Sequence, residues 1–413
     1  MAAPAALEPG TSAPERIVRE LFRTAAGRAD PYPFYRDLRA AAPVHHSAEI
    51  RSWVFTRYAD CHALLRDPRL VQGFAASLDR RRPAWRERQS FRSSERWLVN
   101  LDGAEHARLR RSVVKAFTGR TVEALRPGIE ALVGDLLDAF GASGGGELMA
   151  SVAFPLPVRV IGDLLGLPPA DLPPFRALAQ HITATMEPSP SEAELDAADG
   201  AARQLDAYFG GFVAGLRGRP APGLLGALAA GTDDADRLSD AELTALGTLL
   251  LFAGFETTTH LIGNGVVALL ADPAQLHLLR ARPELLPHLS DELLRFDSSV
   301  QVVTRLATEA VQVGGVRVEP GQNVVLLLGA ANRDPARYAR PDALDVTRPD
   351  VRPLGFGHGV HYCVGAALAR LEVEVFFRAL LDRFGSISLA GPPTRRGGIA
   401  LRGMDTVPLR LGP

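Results

Sequence analysis

Cysteine is scarce in this chain: 413 residues hold only two, Cys61 and Cys363. That count excludes the disulfide framework of a small secreted domain and leaves at most one bridge. Lysine is scarcer still, with Lys115 alone among 46 basic residues. This bias suits a GC-rich genome and carries little chemistry. Neither sign of charge prevails, because the formal net charge is −1, so nothing draws the whole chain to nucleic acid or to an anionic membrane. The longest apolar runs, 246–253 and 324–331, are too short to cross a bilayer. The first 14 residues are rich in Ala and Pro and lack both a basic start and an apolar segment, unlike a signal peptide or membrane anchor. The expectation is a cytoplasmic protein without a membrane anchor, with residues 1–15 a disordered leader.

What is present suits a large globular core: 46% of residues are hydrophobic and 23% charged. The length allows two or three domains, but no internal repeat or long linker divides it. One domain over 16–413 is therefore expected. Helical patterns cover 33–42, 59–67, 104–117, 121–142, 240–271 and 364–384. Strand signals are short, at 53–56, 311–318 and 323–328, with Glu319-Pro320-Gly321 between the last two and a further stretch at the C-terminus. The fold class is mainly α with small β-sheets. Cys61, in an amphipathic helical stretch, reads as a small core residue.

Cys363 stands differently. Gly355, Gly357 and Gly359 precede it, where a flat cofactor can approach the backbone. After it, Val364 to Glu372 has the composition of a helix, whose N–H groups and dipole favour a metal-binding thiolate. A lone intracellular cysteine is more often inert, yet here Phe356, Gly357, Gly359, His361, Cys363 and Gly365 keep a fixed spacing. That spacing resembles the haem-binding loop of the cytochrome P-450 family, and the resemblance spans residues 30–408. It implies a single-domain cytochrome P-450 fold with a long central helix over the haem. Cys363 becomes the axial ligand of haem b, and His361 contacts a propionate.

The long helix begins at a capping box, Ser239-Asp240-Ala241-Glu242, and stops at Asp272-Pro273. In its middle, Ala253-Gly254-Phe255-Glu256-Thr257-Thr258 resembles the family's oxygen-activation motif. Glycine and threonine weaken a helix, so a local distortion is expected, leaving a groove for oxygen. Ala253 and Gly254 would then border the cofactor, Thr257 hydrogen-bond the oxygen or its water, and Glu256 relay protons. His106 and Arg110, at i and i+4, share a helix face; with Arg305 they match the family's propionate ligands. Glycine or alanine at 103 and 104 replaces a proline frequent there. Glu292-x-x-Arg295 usually signals a surface ion pair; in the family it lies inside and pairs with an arginine before the cysteine, here Arg348. A structural role is expected for these three.

The resemblance implies a monooxygenase that hydroxylates or otherwise oxidises a lipophilic molecule, a secondary metabolite such as a terpenoid, steroid-like compound or polyketide. The pocket positions are Leu98, Val99, Ile182, Met186, Leu250, Val300, Val303, Ile399 and Met404. No flavin or nicotinamide fingerprint accompanies the haem segments, so electrons would come from NAD(P)H through ferredoxin and ferredoxin reductase. Arg111 and Lys115 offer a positive patch for the acidic ferredoxin. A monomer is expected. The seven arginines between 80 and 96 read as a solvated face, or less readily as a greeting for an anionic substrate or carrier protein. Competing readings are a peroxide-driven enzyme, a haem-thiolate sensor and a helical binder without haem. The Glu256-Thr257 pair argues against the first two.

Overall fold

Ser239 opens the longest helix of the protein by accepting the Glu242 N–H at 3.2 Å while the Glu242 carboxylate accepts the Ser239 N–H at 2.8 Å. The helix runs unbroken from Asp240 to Ala271 and ends where Pro273 can offer no further N–H. A computed structural model describes residues 12–188, 190–230 and 237–412. Among them this is the helix long and apolar enough to cross a membrane, but 83% of its apolar window is buried inside the protein. It is a core helix. Helices Pro155–Leu165, Glu192–Leu216, Leu286–Phe296 and Ala366–Arg383 pack around it.

The small sheets lie beside this helical body. Five strands run in the order Val44–Ser47, Ser52–Phe55, Asn323–Leu327, Val302–Ala307 and Leu70–Val71. The pair Ser52–Phe55 and Asn323–Leu327 is parallel, with Trp53 opposite Val324. A second sheet joins Gly145–Glu147, Pro408–Gly412 and Ser386–Leu389. Cys61 is fully buried against these strands, and both cysteines are free.

Several expectations need correction. The helix Ala13–Arg23 starts inside the expected leader, because the Glu15 carboxylate is held by His45, Ser47 and the Glu49 N–H; residues 1–11 of that leader lie outside the described residues. The helix expected over 121–142 is two, Gly119–Glu123 and Arg126–Ala142. Pro127 in the first turn of the second lacks the N–H that would continue the first. The strand expected over 311–318 is a hairpin, turned at Gly314 and Gly315 with φ of 61° and 83°, the left-handed geometry tight hairpins require.

Candidate active site

The loop before Cys363 depends on two glycines for its path. Gly357 takes φ 67° and ψ −164°, open only to glycine. Gly359 sits at φ 69°, where a Cβ would meet the Leu65 carbonyl oxygen at 2.6 Å. The Cys363 N–H closes the loop on the Phe356 carbonyl at 2.9 Å. The following helix starts at Ala366, two residues later than the sequence suggested, with Gly365 as its cap. Burial pushes the Cys363 thiol up, against the Gly365 N–H and the Arg110 and Arg370 charges that favour the thiolate. The helix mouth alone therefore does not ionise it, whereas a bound metal ion does. Its side chain nonetheless carries open surface.

Basic groups gather next to it. The rings of His106 and His361 lie 4.2 Å apart, and the Arg110 guanidinium donates to the Tyr362 carbonyl at 2.5 Å. Arg305, on the strand Val302–Ala307, donates to the Gln72 side chain at 3.3 Å. Among the described residues neither arginine has a carboxylate partner within ion-pair distance. Burial accordingly lowers Arg305 to about 10, lowers Arg110, and with His361 and Arg110 lowers His106 to about 4. The nearest anion is Asp102, 3.7 Å from His361 and anchored by the Gln72 and Gly73 N–H groups at 2.8 and 3.0 Å. Asp102 and Gln72 escaped the sequence reading, since neither shows its partner locally. Half-buried Arg110 and buried Arg305, without a paired carboxylate among the described residues and beside exposed Cys363, fit a thiolate-bound group that carries two carboxylates.

The central helix shows one opening. From Ala245 to Val266 every residue is buried except Ala253, Gly254 and Thr257, which at i, i+1 and i+4 share a face. The helix runs on through this stretch, and the Thr257 hydroxyl donates to the Ala253 carbonyl at 3.1 Å, the back-bond expected of a threonine at this position. Glu256, by contrast, is 4% exposed and bound on both sides. His260 Nε2 lies 3.3 Å from its carboxylate, and the Arg396 guanidinium donates to the same oxygen. Burial pushes this carboxyl up, but the His260 and Arg396 contacts outweigh it and hold the group below the ordinary range. His260 and Arg396 carried no recognisable signal in the sequence.

Glu292, Arg295 and Arg348 come together in the interior. Arg295 grips Glu292 with two bonds of 2.7 and 2.9 Å, and Arg348 reaches it at 3.3 Å. Arg295 also donates to the Asn332, Pro341 and Ala343 carbonyls, tying the helix to the segment ahead of the cysteine loop.

The anticipated pocket positions scatter. Leu98, Ile182 and Leu250 are buried in the main core, Val300 and Val303 are half-buried, and Val99 and Met186 are 45% and 44% exposed. Ile399 and Met404 are closed off at 2% exposure each. Ile399 packs with the N-terminal helices, and the Met404 Cβ lies 3.4 Å from where a Gly263 Cβ would stand. Arg111 and Lys115 line a groove of about 1230 Å³ away from the cysteine loop, with Asp135, Arg159 and Asp163. Lys115 begins a 3-10 turn rather than continuing the helix, and the carboxylates make the patch mixed rather than uniformly positive.

Comparison with known proteins places these features in context. A family model described as Cytochrome P450 matches residues 279–394. Cytochrome P450 107B1 of Saccharopolyspora erythraea is 40% identical, over 87% of this chain and 89% of its own. The Vitamin D(3) 25-hydroxylase of Pseudonocardia autotrophica is 38% identical, over 93% and 94%. Among solved structures, P450BioI in complex with hexadec-9Z-enoic acid ligated acyl carrier protein superposes with a TM-score of 0.87 at 32% identity, covering 94% of this chain and 100% of that one.

Proposed function

The chain belongs to the cytochrome P450 family and is an oxidoreductase of the monooxygenase type, and on that premise we propose that Cys363 holds the iron of haem b. The observation that carries this is exposed Cys363 beside half-buried Arg110 and buried Arg305, cations that no carboxylate of the described residues pairs. His106, Arg110, Arg305 and His361 would hold the propionates. The acidic groups would restore the counter-charge that burial denies these residues. Phe356 and Gly365 would border the group, and Ala253 and Gly254 would offer it the open strip of the central helix. When bound, the haem supplies the oxidising chemistry, which a thiolate ligand biases toward O–O cleavage.

The protein's own share is positioning and protons. Thr257 is the hydroxyl on the open strip and can present its oxygen to a water or oxygen molecule there. Glu256, the adjacent carboxylate, can pass a proton toward it once released from its cation. Glu292, Arg295 and Arg348 keep the cysteine loop in place. The substrate is a lipophilic small molecule, consistent with the apolar side chains Leu98, Leu250, Val300 and Val303, and with relatives whose names specify a vitamin D(3) hydroxylase and an acyl-carrier complex. Two electrons come from NAD(P)H through ferredoxin and ferredoxin reductase.

The test is the difference spectrum of reduced, carbon-monoxide-treated protein beside that of Cys363→Ala. A strongly red-shifted Soret band, lost in the variant, is expected. Absence of a haem band, or one indifferent to Cys363, would sink the assignment.

A further inference from the structure

Two segments distant in sequence meet above Glu256. One runs from Gln180, at the end of the helix Phe175–Ile182, through the turn Thr183–Met186 to Glu187. The other is the C-terminal turn over residues 396–400. They are joined at both ends. Arg396 donates to the Gln180 carbonyl at 3.4 Å and to the Thr183 hydroxyl. The Ile399 and Ala400 N–H groups donate to the Glu187 carboxylate at 3.0 and 3.2 Å.

The two sides are unequally anchored. The turn is fixed from beneath: Arg402 and Arg395 pair with buried Asp297 at 2.7 and 3.1 Å, and Asn264 of the central helix holds the Arg402 carbonyl at 3.1 Å. The Gln301 N–H adds a bond to the Ala400 carbonyl at 3.0 Å. The 180–187 segment, ending beside exposed Met186, has fewer such ties. Its opening is therefore the easier motion.

Arg396 does not stop at that segment. One amino nitrogen of its guanidinium, Nη1, meets Glu256 and lies 3.3 Å from His260, while the other, Nη2, holds Thr183 and Gln180. A guanidinium is a rigid planar fork, so its two ends cannot be re-aimed independently. We propose that Arg396 is a positioning residue that couples the ionisation and reach of Glu256 to the seating of the 180–187 segment on the C-terminal turn.

With the segment seated, the carboxylate is locked to its cation and cannot carry a proton. With the segment lifted, the fork swings free and Glu256, now with one cation fewer, can take up a proton on its carboxylate oxygen and hand it on. Among the described residues, the charged and titratable groups facing Glu256 are His260 from its own helix and Arg396 from the turn. The 180–187 side presents the Thr183 hydroxyl and the Gln180 carbonyl to Arg396, with the Glu187 carboxylate attracting it at longer range. The catalytic consequence rests on Glu256 acting as the proton carrier. The coupling itself does not, and it can be read without turnover.

The experiment is amide hydrogen exchange, by mass spectrometry, on the haem-loaded enzyme and its Thr183→Val, Glu256→Gln and Arg396→Lys variants. Amides of the helix Ala366–Arg383 serve as the internal reference. Thr183→Val removes the charge-assisted bond from Arg396, together with the hydroxyl's own bond to the Gln180 carbonyl at 2.7 Å, and should speed exchange over residues 181–187 by roughly tenfold or more. Glu256→Gln should speed it comparably, although the Glu256 side chain has no bond to that segment. Arg396→Lys keeps a charge but not the fork. It should leave Glu256 ionised at neutral pH, judged by the infrared carbonyl band of a neutral acid that Glu256→Gln removes, while exchange of the segment rises as in Thr183→Val. Three outcomes would overturn the coupling: exchange insensitive to Glu256→Gln, a lysine variant in which the segment stays as protected as in the parent, or faster exchange that extends equally to Ala366–Arg383.

Discussion

Arg348 reaches 3.3 Å from the carboxylate of Glu292, an anion that Arg295 already grips through two bonds. One buried carboxylate thus serves two guanidiniums, with side-chain exposures of 3% for Glu292, 0% for Arg295 and 8% for Arg348. The Asp345 N–H adds a further bond to Glu292 at 2.8 Å, so the cluster draws in the chain that leads toward the cysteine loop.

Removing that anion should be far more harmful than losing a surface pair. Glu292→Ala leaves Arg295 charged, buried and without a counter-ion, which costs about 3–5 kcal/mol. Denaturant unfolding of the haem-loaded protein should show that loss, together with poorer haem retention. A loss below about 1 kcal/mol would mean that the pair behaves as a solvated one.

Thr257→Ala should bind haem as the parent does, because among the described residues the side chain bonds only to the Ala253 carbonyl of its own helix. What it should change is the fate of electrons. Product formed per NAD(P)H is expected to fall by about tenfold or more, with peroxide or water taking the difference. Paired measurement of NAD(P)H consumption and product checks this, and unaltered coupling would remove Thr257 from the proton path.

Glu372 gives a pH prediction. It is 1% exposed, its Oε2 has no hydrogen-bond partner among the described residues, and burial raises its pKa from 4.5 to about 8. The folded state therefore holds a proton that the unfolded state releases across this interval. Stability from this group is full below the unfolded value and declines as pH rises from 4.5 through about 8, by several kcal/mol in all. Glu372→Gln, which copies the neutral acid, should flatten that decline. Parallel stability–pH curves for parent and variant would contradict it.

Gly403 faces His260 so closely that an added Cβ would fall 1.9 Å from Nδ1. Gly403→Ala should displace the imidazole from Glu256 and reduce stability by about 1–3 kcal/mol. Thermal unfolding gives the second effect. For the first, a Glu256 carboxyl that titrates at higher pH in infrared difference spectra is expected, since burial then meets less opposition. No change in that titration would show that His260 contributes nothing to holding Glu256 ionised.

What the sequence determined by itself was local. The capping box at Ser239 and the proline after Asp272 set the ends of the central helix within one turn of chain, and Asp240 to Ala271 is helical as the pattern indicated. The cysteine loop was legible for the same reason. Its turns need glycine where φ is positive, and such positions are written in neighbouring residues. The break before Pro127 and the hairpin turn at Gly314 and Gly315 are written there too.

The tertiary structure alone decided who meets whom. Glu256 and Arg396 are 140 residues apart, and nothing near either residue foretells their bond. Asp102 beside His361, the closing of Ile399 and Met404 into the core, and the upward push on Cys363 belong to the same class. Each depends on packing between distant segments, which sets both the distance between charges and the water left around them. Short-range propensity can place a side chain on an element, but only the assembled interior fixes its partners and hence its charge.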